Sequence, residues 1–119
     1  MGLLSLFIRT DINAGVRRFR EDPGSVLLDV REREEYAHRR IPGSRNLPLS
    51  QLDRAPDFLP DKDVHLYVYC YGGSRSGQAV KRLKRMGYTA ATDIGGIKGY
   101  TGPDLRGSEE DPQGSHIGK

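Results

Sequence analysis

Cys70 is the single cysteine of this 119-residue chain, and the residues around it favour a chemical role. It ends an apolar, β-prone run and begins the stretch CYGGSRS, residues 70–76. A thiolate is a strong nucleophile, and nearby backbone N–H groups or cations lower the pKa of a thiol. The order of strand, cysteine, glycine pair, arginine and helix therefore predicts a reactive thiol rather than a small buried apolar residue.

The residues after Cys70 predict an anion-binding loop. Gly72 and Gly73 permit tight curvature and a close approach of the backbone to a ligand. The N–H groups of such a loop, and the helix N-terminus that follows it, attract anions. The fork of the Arg75 guanidinium suits sulfur or phosphorus oxyanions, and Ser76 either caps the helix or donates its hydroxyl. The predicted substrate-binding residues are Tyr71, Gly72, Gly73, Ser74, Arg75 and Ser76.

Strands and helices alternate along the predicted chain, and this order positions the thiol. Residues 64–70 predict the strongest strand, and from Ser76 onward apolar residues recur at helical spacing until Gly87 ends the helix. Such alternation predicts an α/β fold with a parallel sheet and right-handed crossovers. Ligands gather at the carboxyl ends of parallel strands, where Cys70 is expected to lie.

The remaining elements complete this pattern. Residues 3–8, 25–30 and 89–94 predict further strands. A helix is predicted after Asp11 as its N-cap, a second over residues 31–38, and a short one after Ser50. Residues 1–103 are predicted to be one domain, and residues 104–119, which are rich in glycine, proline and acidic residues, a disordered tail.

Composition narrows the classes of function. Hydrophobic residues make up 35% and charged residues 29% of the chain, which is typical of a globular domain. The net charge of +3 comes without stacking aromatics or a recognition motif, so nucleic-acid binding is not predicted. One cysteine and three scattered histidines show no metal-ligand spacing, so neither a metal nor another cofactor is expected.

The same counts bear on redox chemistry and location. A lone cysteine excludes an internal disulfide, and no second thiol of the chain can resolve an oxidised or sulfur-loaded Cys70. The apolar stretch at residues 2–8 is short for a signal sequence and far short of a membrane span. We expect a cytoplasmic monomer that binds no membrane.

Four ordered segments resemble the rhodanese domain, a family of single-cysteine sulfurtransferases. They are LLDVREREEY (27–36), IPGSRNLPLSQL (41–52), CYGGSRSGQAV (70–80) and GYTAATDIGGIKGY (87–100). The resemblance implies a rhodanese-like single domain: an α/β fold with a five-stranded parallel sheet flanked by helices. Two positions depart from the family pattern: Arg40 stands where histidine is frequent, and Tyr100 stands near the place of a tryptophan. Both departures are interpreted as structural.

The resemblance also implies an activity. Cys70 would carry a persulfide, taking sulfane sulfur from thiosulfate or a related donor and passing it to cyanide, a small thiol or an acceptor protein. Residues 71–75 would supply the binding amides, and Arg75 the basic side chain.

Two other functions stay open. One is a weakly active or non-catalytic sulfur carrier. The other is a thiol-dependent phosphatase or arsenate reductase, which the loop length disfavours: four residues separate Cys70 from Arg75, one fewer than in the related phosphatases. Asp29, at the end of a predicted strand, either supports the active loop or, as we prefer, caps the next helix.

Overall fold

The computed structural model describes residues 11–114 and 116–117, and the strands within this part form one parallel sheet. The strands are β1 (Val26–Asp29), β2 (Ser44–Asn46), β3 (Leu66–Cys70), β4 (Ala91–Gly96) and the two-residue β5 (His116–Ile117). Their order across the sheet is β4-β3-β1-β2-β5. All five residues of β3 are buried between β1 and β4, so its last residue, Cys70, is held at the carboxyl edge.

The helices cover both faces of this sheet. They are α1 (Ile12–Arg20), α2 (Arg33–His38), α3 (Ala55–Phe58) and α4 (Ser74–Arg85), with 3₁₀ turns at Leu49–Arg54 and Ile97–Gly99. Asp11 begins α1 as predicted: its side chain accepts a hydrogen bond of 2.8 Å from the N–H of Asn13. None of the helices in the described residues has the length and apolar character needed to cross a bilayer.

Two apolar clusters lie on opposite faces of the sheet, because successive side chains of a strand point in opposite directions. Val68 and Cys70 belong to the cluster that packs under α4. Tyr67 and Tyr69 belong to the cluster on the α1 side. The Cys70 side chain is therefore fixed between the end of its own strand and the beginning of α4.

The α/β order predicted from the sequence is confirmed, with two shifts that matter. The helix after Cys70 begins at Ser74, two residues before the predicted start. The predicted edge strand at residues 3–8 lies outside the described residues, whereas the fifth strand of the sheet, β5, comes from the opposite end of the chain.

Residues 104–114 differ from the predicted disordered tail, because the structure packs them against the domain. Leu105 is buried and pairs with Arg40 through two backbone hydrogen bonds of 2.9 Å. The Arg40 guanidinium donates to the carbonyl oxygens of Gly107 (3.1 Å) and Glu109 (2.7 Å). Composition predicted disorder, but it did not reveal that a buried arginine elsewhere supplies donors for the backbone of this segment.

The two departures from the family pattern serve this packing. Arg40 makes the contacts with the C-terminal segment, and the Tyr100 hydroxyl donates to the carbonyl oxygen of Pro103 at 2.8 Å. Both side chains are less than one tenth exposed. Their predicted structural role agrees with these contacts.

Candidate active site

The turn between β3 and α4 brings backbone N–H groups to the Cys70 sulfur. Gly73 precedes the helix with φ = 106°, a left-handed conformation that side chains rarely adopt. This turn lets α4 begin immediately above the thiol, so Ser74, Arg75 and Ser76 lie in the first helical turn rather than in an extended loop. The positive end of the α4 dipole is consequently directed at the sulfur.

The thiol itself is enclosed. Cys70 is 1% exposed, and its Sγ accepts a hydrogen bond of 2.9 Å from the N–H of Gly73. The Ser76 Oγ lies 3.5 Å from the sulfur. Burial acts to raise the pKa of the Cys70 thiol, but hydrogen bonds from the Ser76 hydroxyl and from the N–H groups of Ser76, Gly73 and Arg75 outweigh it and lower the pKa below its ordinary value.

The end of β4 holds the other side of this loop. Gly96 pairs with Cys70 across the sheet, and a Cβ at Gly96 would overlap the carbonyl group of Tyr71. The N–H of Lys98 donates to that same carbonyl oxygen at 3.1 Å. Gly96, in the Gly95-Gly96 pair, is thus needed because only a residue without a side chain lets β4 approach the backbone at Tyr71 this closely. A groove of about 270 Å³ borders the loop here, lined in part by Gly72, Gly96 and Lys98, and Tyr71 is 52% exposed.

Glu35 pairs with Arg75 in this site, a contact that the sequence did not predict. Its carboxylate accepts two hydrogen bonds from the Arg75 guanidinium, of 2.7 and 3.0 Å. It also accepts the N–H of Glu32 in the capping box that begins α2. Since Glu35 and Arg75 lie 40 positions apart, only the crossover from β1 to β3 brings them together. In the sequence, the spacing of Glu32 and Glu35 indicates a capping box. It predicts the start of α2 but not the contact with Arg75.

The capping role that we preferred for Asp29 is wrong. The N-cap of α2 is Glu32, and Asp29 is buried in a different set of contacts. Its carboxylate accepts from the Arg31 side chain at 2.7 to 3.1 Å and from the Arg31 N–H at 2.8 Å. Burial raises the pKa of Asp29, against hydrogen bonds from Arg31 and Tyr69 that lower it. Among the described residues Glu35 holds Arg75 directly. Asp29 instead binds Arg31, whose guanidinium donates to the Glu35 carbonyl oxygen at 3.3 Å.

These groups together suit attack on a small anionic electrophile. The thiol has a lowered pKa and is surrounded by N–H donors of the α4 N-terminus. Arg75 supplies one cation whose side chain is 32% exposed, so an incoming oxyanion can reach it. The structure brings Gly73, Arg75 and Ser76 to the sulfur; Ser74, Gly72 and Tyr71 are exposed at its rim.

Comparison with known proteins agrees with this chemistry. Residues 14–102 match the family model of the rhodanese-like domain. The chain is 38% identical over 81 residues to Thiosulfate sulfurtransferase PspE of Escherichia coli, covering 67% of this chain and 78% of that protein. It is 33% identical over 82 residues to Putative sulfur carrier protein YrkF of Bacillus subtilis, covering 68% of this chain and 44% of that protein.

A solved structure shows the same fold. It is described as rhodanese with anions from E. coli, is 37% identical in sequence and superposes with a TM-score of 0.64. The match covers 70% of this chain and 99% of that one. The α/β architecture predicted from the sequence therefore agrees with a solved relative, and the relatives' names support a role in rhodanese-type sulfur transfer.

Proposed function

Because the chain belongs to the rhodanese-like domain family, we propose that it is a sulfurtransferase that carries sulfane sulfur as a persulfide on Cys70. The observation that carries the proposal is the position of the Cys70 sulfur. It is buried at the carboxyl end of β3 and receives N–H hydrogen bonds from the start of α4. That environment stabilises a thiolate without a general base.

In the first half-reaction the Cys70 thiolate attacks the outer sulfur of thiosulfate. A new S–S bond forms to Cys70, the S–S bond of thiosulfate breaks, and sulfite leaves with the bonding electron pair. Cys70 is left as an ionised persulfide. The N–H groups of the α4 N-terminus and the Arg75 guanidinium bind the oxyanion end of the donor.

In the second half-reaction an acceptor attacks the outer sulfur of the persulfide. Cyanide would leave as thiocyanate, and a small thiol or a protein thiol would leave as a persulfide. In each case the bond between the two sulfurs breaks and Cys70 returns to the thiolate. The N–H groups that stabilise the thiolate at the start thus stabilise it again as a leaving group.

A sulfur carrier is the second candidate, and the similarity to YrkF favours it. A carrier would accept sulfur at Cys70 and deliver it only to a protein partner. Slow turnover with cyanide despite complete loading of Cys70 would distinguish a carrier from a thiosulfate sulfurtransferase.

The test is intact mass spectrometry of the protein before and after thiosulfate, with Cys70→Ser as the matched variant. We expect the wild type alone to gain one sulfur atom and to lose it on addition of cyanide or a thiol. Circular dichroism of Cys70→Ser controls for folding. An adduct on the Ser variant would remove Cys70 from the mechanism. No adduct on either protein would contradict sulfur transfer, and phosphatase and arsenate reductase assays would then follow.

A further inference from the structure

The Ser76 hydroxyl lies between the Cys70 sulfur and a carboxylate that the proposed reaction does not use. Ser76 is fully buried, and its Oγ lies 2.8 Å from Asp93 Oδ1 and 3.5 Å from Cys70 Sγ. The carbonyl oxygens of Gly73 and Gly95 are also near, at 3.0 and 3.4 Å. A serine hydroxyl has one hydrogen to donate. These acceptors, two of which bear charge when ionised, therefore compete for a single hydrogen.

A distortion of β4 directs Asp93 toward Ser76. The pairing of β3 with β4 shifts between Val68 and Tyr69: Val68 faces Asp93, whereas Tyr69 faces Gly95. The extra residue forms a bulge, in which Gly95 takes φ = 100° and its N–H donates to Asp93 Oδ1 at 2.9 Å. Bulges of this kind re-aim side chains next to active sites. The Asp93 carboxylate is consequently held at the start of α4 by a contact independent of Ser76.

We propose that Asp93 is a positioning residue that competes with the Cys70 sulfur for the Ser76 hydroxyl hydrogen. While Cys70 is a thiolate, the hydroxyl donates to the sulfur and stabilises the charge. Once Sγ carries a second sulfur and its negative charge has moved outward, the hydroxyl turns to Asp93 Oδ1. When an acceptor removes the outer sulfur, the hydroxyl turns back to the departing thiolate. No covalent bond to Ser76 or Asp93 forms or breaks in this rotation.

This inference rests on the proposed function where it concerns the persulfide, but its central claim concerns the ionisation of Cys70 alone. Asp93 draws the hydroxyl hydrogen away from the sulfur, so it makes the thiolate less stable and more basic than Ser76 alone would. A more basic thiolate is a stronger nucleophile, although less of it is present at a given pH. Asp93 would therefore set the balance between the nucleophilicity of the thiolate and the fraction of Cys70 that is ionised.

The experiment is the pH dependence of Cys70 alkylation by iodoacetamide, which needs no sulfur donor. Asp93→Asn keeps an oxygen to accept from Gly95 and Ser76 but removes the charge. We expect the alkylation midpoint to fall by about half to one pH unit in Asp93→Asn and to rise by a similar amount in Ser76→Ala. Asp57→Asn, an exposed change of the same type on α3, should leave the midpoint unchanged.

The double variant Asp93→Asn/Ser76→Ala separates the hydroxyl from a direct effect of charge. If Asp93 acts through Ser76, the shift caused by Asp93→Asn should shrink to less than about half in the Ser76→Ala background. An equal shift in both backgrounds, or no shift in Asp93→Asn, would overturn the proposal. If Asp93→Asn does not fold, Ser76→Ala still decides: a midpoint that does not rise would overturn it. Absence of sulfur loading would instead count against the proposed function and leave the alkylation result standing.

Discussion

Two arginine–carboxylate pairs lie at the carboxyl edge of the sheet, and their exposure separates their roles. The side chains of Arg31 and Asp29 are 5% and 0% exposed, and the Arg31 guanidinium also donates to the carbonyl oxygens of Glu35 and Arg39. The side chains of Arg75 and Glu35 are 32% and 37% exposed. One pair is closed off by the fold, and the other is open to the solvent beside Cys70.

This difference in exposure determines which of the two arginines can bind a ligand. Arg31 ties the end of β1 to the middle and the C-terminal end of α2. It keeps Asp29 as its partner, because leaving that carboxylate alone in the interior would cost several kcal/mol. Arg75 is paired with a carboxylate in a partly hydrated position, where an ion pair contributes only about 0–1 kcal/mol. An incoming oxyanion can therefore replace Glu35 at the guanidinium for a small loss. The buried pair supports the fold, and the exposed pair is suited to binding.

The largest expected effect is on stability, in Arg31→Ala. The change leaves the buried Asp29 carboxylate without its partner and should lower the free energy of unfolding by about 3–5 kcal/mol. Urea denaturation followed by circular dichroism measures this loss. Arg54→Ala, at an exposed arginine, should stay within about 0.5 kcal/mol of the wild type. A loss below about 1 kcal/mol in Arg31→Ala would erase the distinction between the two pairs.

Arg75→Ala should lose activity and keep most of its stability, the reverse of Arg31→Ala. We expect kcat/KM for thiosulfate to fall about tenfold to hundredfold, since a hydrogen bond to a charged group contributes about 1.5–3 kcal/mol. Stability should change by less than about 1 kcal/mol, because the pair with Glu35 is partly exposed. The rate of alkylation by uncharged iodoacetamide serves as the control and should change far less than the thiosulfate reaction. Equal losses with both reagents would show that Arg75 shapes the loop rather than binds the anion.

Glu35→Gln should have the smallest effect and sharpen the comparison. Glutamine can still accept the N–H of Glu32 that begins α2, but it no longer neutralises Arg75. KM for thiosulfate should therefore fall about two- to fivefold, in line with the small contribution of an exposed ion pair. A rise in KM would mean that Glu35 orients Arg75 for the donor instead of competing with it.

The same variant carries a pH signature. The hydrogen bond from Arg75 lowers the pKa of Glu35 in the folded protein. The stability that this pair contributes is thus present above the unfolded-state pKa of glutamate and is lost as the pH falls through the lowered folded-state pKa. The difference in unfolding free energy between wild type and Glu35→Gln should shrink on acidification. A difference that grows toward acid pH would assign Glu35 a folded-state pKa above its ordinary value.

Local signals in the sequence predicted the parts of the site that depend on neighbours along the chain. An apolar β-prone run ending at Cys70, a glycine pair and a helical period predicted the strand, the turn and the direction of the helix. The apolar spacing predicts the start of that helix two residues late, because the left-handed Gly73 lets the helix begin at Ser74. Asp11 is predictable as the N-cap of α1 because capping is a contact between residues two positions apart.

Contacts across crossovers were not predictable in this way. Glu35 reaches Arg75 from 40 positions away, and Asp93 reaches Ser76 only because a bulge interrupts β4. Arg40 contacts the segment at residues 104–114 across 65 or more positions. An isolated backbone bridge of this kind produces no repeating pattern of apolar residues from which it could be predicted. The Asp29–Arg31 pair is local, two positions apart, but the burial of Asp29 that favours this pair over a helix cap depends on the whole sheet.

The sequence by itself determined the α/β order, the position of the nucleophile at a strand end and the backbone donors that follow it, because each depends on residue type and near neighbours. Only the tertiary structure decided which carboxylate meets which cation and how deeply each pair is buried. The physical reason is that the free energy of a charge depends on its distance to distant partners and on its access to water. Both are set by how strands align, and strand alignment is a property of the whole sheet.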